Sequence, residues 1–193
     1  MDIYIWLKFG HILGFTLLVG GLLAVWVSEF QAYRTNDMKT FAEASRYTAI
    51  FYDFLVIPGA LTVGTTGFFL VLQLELGFFS EPWIVGMWGL FLFEFVEGNT
   101  ITRFQFRKTL RSSRRAFEAG NVLSEEIRED ARSLINQIVH FLDIPMIIVI
   151  IYCGTVRPDS WSQVLTAIAL ALCATALLVY FVPRLARRKE GTS

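Results

Sequence analysis

The chain has 193 residues, of which 54% are hydrophobic and only 18% are charged. Its mean hydropathy is +0.52, whereas soluble domains carry about 25% charged residues. This composition excludes an ordinary soluble globular protein. The formal net charge is zero, so only the distribution of charge along the chain is informative.

Five apolar runs follow one another along the chain, each about as long as a helix that crosses roughly 30 Å of hydrocarbon. In order they are residues 3–27, 47–74, 83–104, 134–152 and 161–182. We therefore predict an all-α fold, an integral membrane bundle of five transmembrane helices.

Basic residues are distributed unevenly between the two sides of this bundle. Fifteen of the 17 lysines and arginines fall on one side, and only Lys8 and Arg157 fall on the other. The positive-inside rule then predicts that the N-terminus is outside and the C-terminus is cytoplasmic. We expect a multi-pass membrane protein, with membrane lipids as partners.

The longest polar stretch, residues 107–132, joins the third and fourth apolar runs. Its basic residues fit a topology signal that contacts anionic lipid heads, and they predict no nucleic-acid partner. We expect the third helix to continue into this stretch and to end near Gly120. Ser124, followed by Glu125 and Glu126, predicts the N-cap of a new helix that runs on into the membrane.

Five charged residues lie within the apolar runs, where a charge costs at least a few kcal/mol and usually faces a partner or a cavity. They are Lys8, Asp53, Glu94, Glu97 and Asp143. Asp53 and Arg103 are both expected near the cytoplasmic ends of their helices, which predicts a structural ion pair. Lys8 either extends outward to the surface or takes part in a site with Asp143.

The two cysteines are not expected to form a disulfide bond. Cys153 is predicted at the outer end of the fourth helix, and Cys173 is predicted deep in the fifth. Different depths separate the sulfur atoms too far for a bond.

The only two histidines, His11 and His140, lie on two different predicted helices. Imidazole is a poor lipid-facing group and a common haem ligand, so the two histidines are candidate metal ligands for one haem b iron. His11 shares a helical face with Gly14 and Gly21. Those glycines indicate either close helix packing or space for a flat macrocycle.

The expected depths of the two histidines do not match. His11 lies roughly 12 Å from the outer end of its helix and His140 lies roughly 19 Å, a mismatch of roughly 7 Å. Ligation by both histidines therefore stays one alternative. The other is a haem held by one histidine, with Lys8, a methionine or water opposite. Asp143 shares a face with His140 and belongs to the candidate cofactor site.

One segment resembles a known family. Trp6-Leu-Lys8-Phe-Gly-His11 resembles the opening helix of HemJ-type protoporphyrinogen oxidases. That resemblance implies that His11 and Lys8 serve haem b and activity. The chain differs from HemJ at Thr16 and Leu17, which stand where a tryptophan is expected.

A longer stretch, from Met1 to about Pro158, resembles an uncharacterised family of bacterial integral membrane proteins, domain of unknown function 2269. The segment 52–58 and Pro82 carry this likeness, and both groups resemble the membrane domain of copper-resistance protein D. The resemblance implies a four-helix domain over residues 1–158, followed by a fifth helix and a basic tail over 159–193. Because the family is bacterial, it also implies a location in the bacterial inner (cytoplasmic) membrane.

These observations favour a haem b-binding membrane protein that transfers electrons beside other membrane redox proteins. One alternative is a HemJ-like protoporphyrinogen oxidase, so whether the protein is an enzyme stays open. Another alternative is a non-catalytic accessory subunit of a membrane complex, and homo-oligomerisation is compatible with all three. A transporter that uses Glu94 and Glu97 near the midplane ranks last.

Overall fold

The computed structural model describes residues 2–124, 127 and 133–188, with side chains as far as residue 182. This part of the chain is helical and contains no strand. Its five long helices are α1 (Ile3–Arg34), α2 (Met38–Gln73), α3 (Pro82–Glu118), α4 (Leu134–Val156) and α5 (Trp161–Arg188). All five are long and apolar enough to cross a membrane. The prediction of an all-α bundle with five spans is confirmed.

The first two helices are longer than their apolar runs. Helix α1 continues to Arg34, and α2 begins at Met38. Asp37 ends the short connection between them, because its side chain accepts a hydrogen bond of 2.8 Å from the Thr40 backbone N–H and so caps α2. Hydropathy locates only the lipid-embedded part of a helix, which is why the polar ends were missed.

Glycines bring α1 and α2 into close contact. A Cβ atom on Gly59 would lie 2.5 Å from the Leu18 backbone nitrogen, and one on Gly14 would lie 2.8 Å from Thr62. A Cβ on Gly21 would also lie 2.8 Å from the neighbouring helix. Small residues on both helices therefore allow their backbones to approach.

Two π-helical turns interrupt α2 and α3 at corresponding depths. The first, Tyr52–Val56, comes just before Pro58, whose missing N–H cannot continue the regular hydrogen-bond pattern. The second is Gly98–Thr102. Such turns add a residue to one turn of helix and so change which side chains face inward.

An ion-pair network joins these two turns on the side where the basic residues cluster. Asp53 accepts hydrogen bonds of 2.9 Å from both the Arg103 Nε and the Arg107 guanidinium. The predicted pair of Asp53 and Arg103 is confirmed, and Arg107 is an additional partner that the sequence did not indicate.

Pro145 lies inside α4, and the neighbouring helices hydrogen-bond to the α4 backbone near it. The Thr175 hydroxyl of α5 donates to the Phe141 carbonyl at 3.5 Å, the group that the proline leaves without its helical donor. The Trp26 indole of α1 donates to the His140 carbonyl at 3.2 Å. Hydrogen bonds of this kind make a proline tolerable inside a membrane helix.

Helix α3 ends where the sequence predicts. Gly120 adopts φ +70°, a left-handed conformation that glycine tolerates best. The Asn121 N–H then reaches back to the Ala116 carbonyl at 2.9 Å, as in a Schellman C-cap. The predicted break near Gly120 is confirmed.

The connection that follows differs from the prediction. The Ser124 hydroxyl accepts a hydrogen bond from the Ile127 N–H at 3.4 Å, which fits the predicted N-cap. Glu125 and Glu126, predicted in the first turn of that helix, lie outside the described residues. Ser133 has a non-helical ψ of 146° and caps α4 itself. The prediction of one uninterrupted helix from Ser124 into the membrane is therefore wrong.

Apolar residues mainly of α1 and α2 form one core, and helices α3, α4 and α5 share a second core around Ile84, Cys153 and Val164, none of which is exposed. Both cysteines are free, with Cys153 buried and Cys173 exposed, so the prediction of no disulfide is confirmed. The outer surface is apolar, with Val27 72% and Phe54 73% exposed. Exposed apolar side chains on membrane-length helices fit a protein that sits in lipid.

Candidate functional site

His11 projects from α1 toward α2, where its Nδ1 atom is held by two oxygen atoms. The Val63 carbonyl lies at 3.1 Å and the Thr66 hydroxyl at 3.2 Å. A carbonyl only accepts hydrogen bonds, and the Thr66 hydroxyl donates its own proton to the Thr62 carbonyl at 2.6 Å. Nδ1 must therefore be the protonated nitrogen, which leaves the lone pair of Nε2 available to a ligand.

A cavity of about 300 Å³ lies beside His11 and reaches α3 and α4. Its lining is mainly apolar and includes Phe15, Val63, Met87, Trp88, Phe91 and Ile150. The exposed residues Ile151 and Thr155 also line it, so the cavity opens at the lipid-facing surface. The Trp88 indole N–H is buried and has no hydrogen-bond partner among the described residues.

The other candidate residues of α1 are not part of this cavity. Gly14 and Gly21 face α2 at close range, so they serve helix packing and leave no space for a macrocycle. Lys8 is exposed, with its Nζ 5.9 Å from the centre of the Tyr4 ring. That contact directs Lys8 toward the end of the helix and fits outward extension to the surface.

His140 occupies a different environment. It is only 3% exposed and packs between the rings of Trp26, Phe106 and Phe141, with ring centres 5.6, 6.4 and 5.2 Å away. Its Nε2 lies 3.6 Å from a Glu29 carboxylate oxygen. The adjoining cavity is only about 40 Å³, which is too small for a macrocycle.

The structure does not bring the two histidines together. His140 contacts Trp26, and Trp26 lies fifteen residues after His11 on the same helix. At about 1.5 Å per residue the two sites are about 22 Å apart along α1. A single iron with two axial imidazoles needs both nitrogens within a few ångströms, so the predicted pairing of His11 and His140 on one haem does not fit this geometry.

Asp143 also differs from its predicted surroundings, because it faces α3. Carboxylate oxygens of Glu94, Glu97 and Asp143 all lie within 4.8 Å of one another. The Thr102 hydroxyl donates to Glu97 at 2.9 Å. Among the described residues, no lysine or arginine pairs with any of the three carboxylates. The sequence indicated Glu94 and Glu97 by their helical spacing, but nothing in it placed Asp143 against them.

Sequence reasoning also missed Met87, Trp88 and Thr66 beside His11, as well as Glu29 beside His140. Met87 and Trp88 were indistinguishable from ordinary apolar residues of a membrane helix. Thr66 is a polar residue inside an apolar run, one helical turn after Val63. Its polarity was the available signal that α2 presents polar groups inward.

Comparison with curated proteins and with solved structures gives no match. A family described as predicted integral membrane protein (DUF2269) matches residues 5–158. The matched region covers α1 from Ile5 onward and all of α2 to α4, and therefore includes His11, its cavity and the three carboxylates. Since the match spans most of the chain, this protein belongs to the DUF2269 family of predicted integral membrane proteins.

Proposed function

We propose that this protein binds haem b in the cavity beside His11 and transfers electrons within the membrane. The observation that carries the proposal is the orientation of the His11 ring. Its Nδ1 is held by the Val63 carbonyl at 3.1 Å, and histidines that bind metals usually donate their second ring N–H to such a group. The arrangement fixes the tautomer and points to Nε2 as the ligand atom.

The cavity walls fit a flat apolar group. Trp88 and Phe91 offer aromatic surfaces, and the buried Trp88 N–H offers a donor that lacks a partner among the described residues. A macrocycle would extend through the opening at Ile151 and Thr155 into the lipid. The position of this opening supports a membrane-embedded haem.

Met87 would hold the haem iron together with His11 in this proposal. Its thioether is the soft donor that α3 contributes to the cavity of His11, and histidine with methionine is an established haem ligand set. The sequence left this role open between His140, Lys8, a methionine and water, and Met87 is the protein side chain of this set that lines the His11 cavity. When bound, the haem would supply one-electron chemistry, while the chain positions it and excludes water.

The proposal includes a location and an orientation. We place the protein in the bacterial inner membrane, and the excess of basic residues at one end supports a C-terminus in the cytoplasm. A haem that opens to the lipid fits exchange of electrons with other membrane redox proteins or with a second copy of the chain.

An absorption spectrum of the detergent-purified protein, expressed with full haem supply, tests the proposal. We expect a Soret band that disappears in His11→Ala. Met87→Leu should retain haem but shift the Soret band, because the thioether that would help to hold the iron is lost. Met146→Leu, a buried methionine of the second core, is the matched control and should leave the spectrum unchanged. Absence of a Soret band from the wild-type protein would refute the proposal.

A further inference from the structure

The three carboxylates of α3 and α4 form a concentrated negative site inside the bundle. Glu97 is 8% exposed and Asp143 is 7% exposed. Glu94 lies twelve residues after the start of α3, about 18 Å into a membrane of about 30 Å. Carboxylates at that depth are costly unless protons or a cation neutralise them. No described basic side chain does so.

A second group points to a ligand at the same place. Tyr52 of α2 is 5% exposed, and a side chain at Gly98 would collide with its hydroxyl oxygen. The hydroxyl has no hydrogen-bond partner among the described residues, although buried hydroxyl groups normally have one. Tyr52 lines the same cavity as Glu94 and Asp143. This phenol oxygen therefore faces the carboxylate site without a protein partner.

The cavity has space for a small ligand and little else. Its volume is about 60 Å³, whereas one water needs about 10–15 Å³ measured in this way. The Asn99 side chain also lines it. An ion with one or two waters fits this space, and an organic molecule does not.

The carboxylates are held in place by the fold. The Thr102 hydroxyl, in a residue only 2% exposed, donates to Glu97 at 2.9 Å. Glu97 and Thr102 are five positions apart in the chain. The π-helical turn Gly98–Thr102 brings the Thr102 hydroxyl within hydrogen-bond distance of the Glu97 carboxylate. Hydrogen bonds to a ligand carboxylate fix its orientation, as is usual around bound metals.

We propose that Glu94, Glu97 and Asp143 bind one divalent cation of the oxygen-preferring class, such as Mg²⁺, Mn²⁺ or Ca²⁺, with the Tyr52 hydroxyl beside it. Carboxylate and phenol oxygens are hard donors, which such ions prefer. No histidine or cysteine joins the cluster, which disfavours softer metals. The site differs from the proposed haem site, because none of its three carboxylates lines the His11 cavity, although the two cavities are neighbours that share Phe15, Val63, Phe91 and Ile150 as walls.

Binding of Mn²⁺ to the purified, haem-free protein in detergent tests the inference. Bound Mn²⁺ is counted from the loss of the free-ion EPR signal. We expect about one Mn²⁺ per chain, displaced by Mg²⁺ or Ca²⁺. Asp143→Asn and Glu94→Gln should each weaken binding by at least about tenfold. Tyr52→Phe, which keeps the ring and its packing, should weaken binding less.

Glu29→Gln is the matched control, because Glu29 is a partly buried carboxylate of the same bundle that faces His140 instead. Its Mn²⁺ affinity should change far less than that of Asp143→Asn, because Glu29 is not a member of the carboxylate cluster. If the wild-type protein binds no Mn²⁺, or if Asp143→Asn and Glu94→Gln bind it as well as Glu29→Gln does, the carboxylates hold protons only and the inference fails. The Soret band is measured separately, so failure of either proposal leaves the other standing.

Discussion

The two histidines occupy opposite kinds of environment. His11 is partly buried, has one nitrogen fixed by the Val63 carbonyl and lies beside a cavity of about 300 Å³. His140 is 3% exposed, is enclosed by aromatic rings and borders a cavity of about 40 Å³. Each histidine has one ring nitrogen without a hydrogen-bond partner among the described residues, but only His11 has adjacent space, whereas His140 fills its space with its own ring.

This contrast shows which properties distinguish a ligand from a packing residue. Both histidines are rare polar groups in apolar helices, and both have oxygen atoms near one ring nitrogen. Only at His11 does the surrounding chain supply a fixed tautomer together with room for a ligand. Space and orientation therefore separate the two sites, and residue type alone does not.

The strongest test of the contrast compares alanine at the two histidines. His11→Ala should lose all bound haem but little stability, because His11 is partly buried. His140→Ala should keep the haem but lose on the order of 2–5 kcal/mol, because it leaves a cavity among packed rings. Soret absorbance and thermal unfolding in detergent measure the two effects. Equal haem loss in both variants would contradict the distinction.

A smaller effect is expected from a glycine in the contact between α1 and α2. Gly59→Ala should destabilise the protein by about 1–3 kcal/mol, because the new Cβ meets the Leu18 backbone and not a flexible side chain. Gly20→Ala is the matched control, since a Cβ there meets nothing within 4 Å. The difference in thermal midpoint measures the cost. If Gly59→Ala instead removed haem without changing stability, the glycines would belong to the cofactor site.

The fold was predictable because its signals are local. Runs of apolar residues predicted five spans, and Gly120 predicted the end of α3. The ends of α1 and α2 were missed, since Arg34 and Met38 belong to helices that continue in polar sequence. The break at Ser133 was missed because a serine followed by apolar residues fits both a cap and a helix interior.

The candidate sites were less predictable, because they depend on which helix faces which. His11 was identified from its type and its neighbours. Its separation from His140 could not be foreseen, because that depends on the depth at which α4 packs against Trp26. Asp143 was assigned to the wrong neighbour for the same reason. A periodicity pattern places a residue on a helical face but does not identify the opposing helix.

The ion-pair network at Asp53 lies on the side of the molecule nearer to His140. We expect its loss to change the stability of the protein less than Gly59→Ala does. Asp53→Asn removes the charge that pairs with Arg103 and Arg107. Because the arginine side chains are 36% and 47% exposed, we expect a loss of about 1 kcal/mol or less. Glu43→Gln, in an exposed pair with Arg46, is the control and should show a still smaller change. A loss exceeding that of Gly59→Ala would mean that the network determines the packing of α2 against α3.

The smallest effect is expected at Asp37, which lies outside both sites and outside the membrane. Hydrogen bonds from the Thr40 backbone N–H and hydroxyl lower the pKa of Asp37 from its ordinary value. Because the pKa is lower in the folded protein, the stabilisation is complete above the unfolded-chain pKa of about 3.9 and is lost as the pH falls through the lowered value. The thermal midpoint of Asp37→Ala should therefore lie below that of the wild type at neutral pH and approach it in acid.

Asp37→Asn is the control for this prediction. It keeps a hydrogen-bond acceptor that does not titrate, so its thermal midpoint should stay above that of Asp37→Ala even in acid. Haem and Mn²⁺ binding should be unchanged in both variants, because Asp37 touches neither site. A difference between wild type and Asp37→Ala that stayed constant with pH would show that the carboxylate charge plays no part in the cap.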